Sequence, residues 1–248
     1  MAADIKIASG RKPVIDLVKN NPEICIELII SESINANFKD ELIKIAKANK
    51  TAFKVVKNDA LEKIAGGINH QGVICKIKAS KPLELNAFLK NIPDNKPALI
   101  IILDHIEDPH NLGAVIRSAE AGGASGVIYP DTRSAMPSAT VIKTSAGASL
   151  RLPLIEVVNI SRTIDTLKKN NFWIIGLDEK SDTSIYKDSL PDRTALVLGA
   201  EGSGISRLVK ENCDMLLKIP IVGGVGSLNA SVACALGIFE WSKERNIF

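Results

Sequence analysis

The 248-residue chain has no run of eighteen apolar residues, so no segment is long enough to cross a bilayer as a helix. Its opening, MAADIKIASGRKP, holds no apolar core of signal-peptide length, which argues against secretion. Cysteine is sparse: Cys25, Cys75, Cys213 and Cys234 stand far apart inside apolar segments, where they suit small buried hydrophobes better than disulfides or a zinc cluster. These absences lead to the expectation of a soluble, cytoplasmic protein with no membrane association. A strong net charge is missing too, the balance being +3. It is uneven along the chain. Residues 1 to 97 carry 16 Lys/Arg against 11 Asp/Glu, and the remainder 15 against 17. The basic N-terminal part fits a solvated lysine-rich face or a surface that meets a polyanion, and charge alone does not choose between them.

What the chain does have is an apolar fraction of 46%, enough for one large core or two modest ones. Helical and strand patterns alternate from the start. A helix is expected near Pro13 to Lys19, a strand near Ile24 to Ile30 and a helix near Phe38 to Lys47, with FKVV and GVICKIK as further strands. The polar, Pro-bearing stretch ASKPLELNAFLKNIPDNKP reads as a linker with one short amphipathic helix, which gives domains at 1–79 and 98–248 joined by 80–97. From Ala98 the strands are ALIIIL, GVIYP, RLPLIEV, FWIIGL, TALVLG and MLLKIP. Helices are expected between them near Leu112–Ala121, Ser138–Ser145, Ile160–Lys169, Ile205–Lys210 and Leu228–Trp241. Near-continuous apolar strands alternating with helices make an α/β fold, a parallel sheet covered on both faces, whose ligands bind beyond the carboxyl ends of its strands.

Three loops at such ends carry unusual residues. In EDPHNLGAVIRSAE, Pro109 suits a turn, Asn111 is a candidate cap for a helix beginning at Leu112, and Arg117 sits among alanines and aliphatics. Arg117 lies about 9 Å further along the axis, at about 1.5 Å per residue, but helical side chains lean back toward the N-terminus. LVLGAEGSGI puts glycines and a single carboxylate, Glu201, after a strand. Its G-x-x-G-x-G order is not the dinucleotide fingerprint G-x-G-x-x-G, and no G-x-x-x-x-G-K-[ST] occurs anywhere. In IPIVGGVGSLNASVACALGIFEW a glycine bend is followed by Ser227 and Asn229 around Leu228, an arrangement able to hold an apolar-faced ring such as adenine between backbone segments. A fourth stretch, DHIEDPH, gathers Asp104, His105, Glu107, Asp108 and His110 and raises a metal-dependent hydrolase as an alternative. Its spacing matches no H-E-x-x-H pattern, and no later histidine remains to complete a zinc set.

Together, DPHNLGAVIRSA, LVLGAEGSGI and IPIVGGVGSLNASVA resemble the three ordered motifs of the SpoU, or TrmH-type, branch of the SPOUT RNA methyltransferases, with SAGA at Ser145 to Ala148 between them. The resemblance covers essentially the whole chain. NHQGV at Asn69 to Val73 and the GRKPV opening are similar to the small, ribosomal-protein-like substrate-binding domain of the 23S rRNA guanosine-2′-O-methyltransferase subgroup. It implies a catalytic domain threaded into a trefoil knot, against the usual rule that chains do not thread loops. It also implies a homodimer with active sites completed across the interface, where Ala230, Ala233 and Ala235 would permit close helix packing. The implied reaction moves a methyl group from S-adenosylmethionine to a ribose 2′-hydroxyl in RNA, of rRNA in preference to tRNA, with no metal.

By the same resemblance Arg117, Asn111, Glu201, Ser227 and Asn229 form the catalytic set. Leu198, Gly199, Ile219 and Leu228 hold the donor, and Arg11, Lys12, His70 and Gln71 contact RNA. A guanidinium keeps its proton, so Arg117 is expected to stabilise the developing 2′-oxyanion or to anchor the adjacent phosphate, with Glu201 holding it in place. Asn111, Ser227 and Asn229 are expected to orient the nucleotide and shape the donor pocket. A non-catalytic RNA-binding protein on the same fold is the remaining alternative; pure binding would not require the intact polar set.

Overall fold

The computed structural model describes residues 5–78, 83–132, 134–135, 138–243 and 245. Two compact units result, Met1–Lys81 with Pro137–Leu150, and Pro82–Met136 with Arg151–Phe248. The first runs β1 (Ile5–Ser9), α1 (Arg11–Asn20), β2 (Cys25–Ser31), α2 (Ala36–Ala48), β3 (Phe53–Val56), α3 (Asn58–Ala65) and β4 (Val73–Lys78). Its sheet has the order β1-β4-β2-β3, with β4 antiparallel to both neighbours and β2 parallel to β3. In α1 the residues Pro13, Val14, Leu17 and Val18 recur on one stripe and are buried. Asn35 starts α2 by accepting the Phe38 N–H at 3.3 Å. The sequence patterns pass over β1 and α3. Ile5 and Ile7 flanking Lys6 do alternate as a strand should, but over five residues, and α3 is barely two turns long.

The second unit begins with α4 (Leu85–Lys90), β5 (Ala98–Asp104), α5 (Pro109–Ala121) and β6 (Gly126–Pro130). Next in the chain comes α6 (Ala139–Thr144), and the unit then continues with β7 (Leu154–Val157), α7 (Ile160–Lys169), β8 (Trp173–Leu177), β9 (Arg193–Gly199), α8 (Arg207–Glu211), β10 (Met215–Leu217) and α9 (Ala230–Lys243). Although its position in the sequence suggests the C-terminal domain, α6 packs in the first unit. Ile142 joins that unit's core, and Lys143 Nζ donates to the Asn69 carbonyl at 3.1 Å.

The six strands are all parallel, in the order β10-β8-β9-β5-β6-β7. Every residue of β5 is buried, as a central strand covered on both faces requires. Its register with β9 runs unbroken from Ala98 opposite Arg193 to Asp104 opposite Gly199. The loops leaving β5 and β9 therefore start side by side. Helix α9 lies close against this sheet and against α5: a Cβ on Gly122 would meet Ile238 Cγ2 at 2.2 Å, and one on Gly237 would meet Leu196 Cδ2 at 2.7 Å. Ser242 Oγ fastens the same contact by donating to the Gly122 carbonyl at 2.6 Å. All four cysteines are free; burial pushes the Cys213 thiol up to about 12 and raises Cys234 as well, which suits packing rather than reactivity. Among the described residues no helix is long and apolar enough to cross a membrane.

Candidate active site

The loop after β5 turns at His105, whose φ of 63° is left-handed, and α5 starts at Pro109. Asp108 is its cap, accepting the His110 N–H at 2.9 Å. This corrects the expectation that Asn111 caps a helix from Leu112. Proline at the first helical position loses no hydrogen bond, so the helix begins three residues sooner. Asn111, set inside the first turn, is left with its amide facing outward. Its Nδ2 donates to Glu201 Oε1 at 3.1 Å, and its Oδ1 accepts from Asn229 Nδ2 at 3.1 Å. Asn229 Nδ2 also donates to Glu201 Oε1. The other end of Asn229 caps α9, with Oδ1 accepting the Ser231 N–H at 2.9 Å and the Ser231 hydroxyl at 2.6 Å. Both ends of the Asn229 amide are thus committed, which settles its orientation. One carboxylate and two amides tie the first turn of α5, the loop after β9 and the start of α9 at a point.

The Glu201 loop folds back tightly. Ala200 accepts the Gly204 N–H at 2.9 Å, and Gly202 and Gly204 take φ values of 83° and 68°. This loop and the residues on either side of the glycine bend before α9, Ile219 and Ile221 ahead of it and Ser227 to Asn229 after it, wall a cleft of about 480 Å³, within the size range of small-molecule sites. Leu198, Gly199, Ile219 and Leu228 all line it, as do Ser227 and Asn229. So do Asp178 and Lys210, which form an ion pair and which the sequence reading missed. Burial pushes the Asp178 carboxyl upward, but Lys210 and the Lys180 N–H outweigh burial and hold it below the ordinary carboxylate range. The signal was available: Asp178 and Glu179 end the apolar strand β8 at its carboxyl edge, where ligands gather.

Arg117 is exposed and makes no hydrogen bond or ion pair among the described residues. Glu201 does not hold it, contrary to expectation, because the two asparagines occupy that carboxylate. Six residues at 3.6 per turn also put Arg117 about 240° around α5 from Asn111, on another side of the helix. Of the four candidates for RNA contact in the first unit, Arg11, Lys12 and Gln71 are exposed. Arg11 and Gln71 meet, the Arg11 N–H donating to Gln71 Oε1 at 3.1 Å and Arg11 Nε to the Gln71 carbonyl at 3.3 Å. His70 is the exception. It is buried, its Nδ1 accepts the Gly72 N–H at 2.9 Å, and its Nε2 lies 3.0 Å from Glu62 Oε1, so it braces the turn that displays Gln71 and offers no surface itself.

Of the DHIEDPH side chains, Asp104 and His105 meet, with Oδ1 2.6 Å from Nδ1, and the others stand apart from that pair. Asp108 caps α5, Asp104 faces inward, and among the described residues no three His, Cys, Asp or Glu side chains are grouped to hold a metal ion. The geometry does not assemble the ligand set that the hydrolase alternative needs.

The SpoU rRNA Methylase family profile matches residues 98–239, and a profile described as RNA 2′-O ribose methyltransferase substrate binding matches residues 7–83. A 23S rRNA (guanosine-2′-O-)-methyltransferase RlmB of Xylella fastidiosa strain 9a5c is 40% identical, covering 96% of this chain and 96% of its own. The protein of the same description from Neisseria meningitidis serogroup B is 41% identical, covering 91% and 90%. Among solved structures, the SpoU methyltransferase AviRb from Streptomyces viridochromogenes, crystallised with the cofactor AdoMet, superposes with a TM-score of 0.79 at 22% identity, over 98% of this chain and 92% of that one. With both profiles matched in order and such relatives aligned along almost its whole length, the chain belongs to the SpoU rRNA methylase family.

Proposed function

We propose that the chain methylates the ribose 2′-hydroxyl of a guanosine in 23S ribosomal RNA, with S-adenosylmethionine as donor, in the cytoplasm. The observation that carries this reading is the Asn111–Glu201–Asn229 cluster set at a glycine-walled cleft. The cleft fits the donor. Exposed backbone around Gly199 and the apolar side chains of Leu198, Ile219 and Leu228 suit an adenine ring, and the Glu201 carboxylate suits a cationic ligand. When bound, the donor supplies a methyl group on a positively charged sulfur. The protein's own task is then to bring the ribose oxygen into line and to stabilise the charge that develops on it. Asn111 and Asn229, held by Glu201, and the exposed Ser227 orient the nucleotide. The Arg117 guanidinium stabilises the oxyanion or grips the adjacent phosphate. The knotted threading implied by the motifs belongs to the same proposal, as do RNA contacts by Arg11, Lys12 and Gln71.

A homodimer completes the reading. Val232, Leu236 and Phe239 form a stripe on α9 that is 48%, 38% and 40% exposed, a large apolar face to leave in water. Of the alanines expected to permit this packing, Ala235 falls on the stripe at helical spacing, whereas Ala230 is buried and Ala233 lines the cleft. With a second copy on this stripe, Arg117 of one protomer is free to serve the cluster of the other. Leu236→Glu is expected to convert a dimer into a monomer by light scattering, with transfer activity lost. A wild-type monomer at micromolar concentration would contradict the arrangement. The function itself is tested by incubating the protein with labelled donor and separate pools of rRNA and tRNA, then mapping the product. Label in tRNA alone would redirect the substrate, and label on a base rather than a ribose would overturn the reaction.

A further inference from the structure

Asp104 and His105, from the stretch DHIEDPH, have no part in the transfer proposed above. Asp104 is 1% exposed at the carboxyl end of the wholly buried strand β5. A carboxylate is tolerated in such a place only when its oxygens are hydrogen-bonded. One oxygen, Oδ2, accepts the Ser206 N–H at 2.6 Å, and the other, Oδ1, lies 2.6 Å from His105 Nδ1. Ser206 is the residue on which α8 begins, and it ends the loop that starts at Gly199. Gly199 is itself the register partner of Asp104. The loop thus leaves the sheet beside Asp104, passes through Glu201 and returns to the Asp104 carboxylate. His105 holds a left-handed backbone conformation that a non-glycine residue adopts at a cost, and its ring bond to Asp104 helps to offset that cost.

We propose that Asp104 is a positioning residue for the donor cleft: by gripping the Ser206 amide it holds the Gly199–Ile205 loop in the shape that walls the cleft, and His105 orients its carboxylate. This rests on the reading of the cleft as the S-adenosylmethionine site. The clamp touches no reacting atom and acts first on the ligand's wall, so its removal raises the donor Kd and KM, and kcat at saturating donor falls by a smaller factor, through the loosened Glu201.

The test uses the full chain, calorimetry with S-adenosylmethionine alone, and steady-state transfer to rRNA. Asp104→Ala removes the acceptor and is expected to weaken donor binding about tenfold or more, the usual scale for an orphaned buried amide. Asp104→Asn keeps an acceptor for Ser206 and offers its own N–H to His105, and is expected to restore binding to within about threefold. If Asp104→Ala does not fold, His105→Gly serves in its place. It suits the backbone φ of 63°, so the melting temperature is not expected to fall, while donor affinity drops about threefold as the carboxylate loses its orienting partner. Three results would each overturn the assignment: wild-type affinity in Asp104→Ala, a defect confined to kcat, or an Asp104→Asn protein as impaired as the alanine variant. Unchanged affinity in His105→Gly would overturn the part given to His105. A wild-type protein that binds no donor overturns the cleft reading as well, whereas normal wild-type binding beside an indifferent Asp104→Ala overturns the clamp alone.

Discussion

Gly199→Ala is expected to eliminate measurable donor binding, by a factor of about one hundred or more, and with it all transfer. A Cβ at this position would stand 1.9 Å from the Gly204 carbonyl carbon, 2.1 Å from Ile205 N and 2.2 Å from the Gly204 oxygen. Each of these is a backbone atom, so no rotamer change relieves the overlap, and the loop must open. Opening carries Glu201 away from Asn111 and Asn229 and removes one wall of the cleft. The stability cost is expected to be modest, about 1–3 kcal/mol, as for other overpacked sites, because the strain falls on a loop beyond the end of β9. Gly202→Ala and Gly204→Ala make the comparison. Both positions have left-handed φ values, yet nothing lies within 4 Å of a Cβ there, so each should cost about 1 kcal/mol through conformation alone. Calorimetry on the three variants checks the ranking, and a Gly199→Ala protein that binds the donor normally would remove this loop from the site.

Arg117→Ala is expected to lower transfer by a factor of about 10²–10³ with donor affinity and melting temperature unchanged, the loss typical of removing one group that stabilises a developing oxyanion. The separation of effects follows from the structure. The side chain is exposed and makes no hydrogen bond or ion pair among the described residues, so the fold loses nothing when it is cut back. Arg117→Lys should recover only part of the rate, because an ammonium is a point charge and cannot reproduce a planar two-pronged grip on oxygen or phosphate. Single-turnover rates with saturating donor decide the matter. Retained turnover in Arg117→Ala would end its assignment to the reacting oxygen.

How far these features were legible in the sequence depended on whether the deciding interaction was local. The run ALIIIL announces a buried strand, and the structure buries all of β5. The start of α5 was misplaced by three residues although its determinants are adjacent in the chain. Asp108 and Asn111 are both good caps, and the proline between them decides for the first. Glu201 shows the other limit. A lone carboxylate and a lone arginine invite pairing on paper, but the register of β5 with β9 and the capping of α9 bring two amides to that carboxylate instead. His70 reads as surface chemistry in the motif NHQGV, and only the folded turn reveals a buried ring that accepts the Gly72 N–H and lies beside Glu62. The allegiance of α6 to the first unit is likewise a matter of long-range packing, which no periodicity records.

The place of β9 between β5 and β8 also bears on how the chain is made. As the polypeptide leaves the ribosome, β5 emerges with one edge satisfied soon afterwards by β6, but the strand that covers its other edge is still about ninety residues away, a wait on the order of ten seconds at ordinary elongation rates. Throughout that interval a strand apolar but for Asp104 presents unpaired amides and carbonyls to solvent, the condition under which nascent chains stick to one another. Holdase chaperones should therefore bind the emerging chain most strongly in the window before residue 199 is exposed, and slowing translation between the two strands should lower the soluble yield.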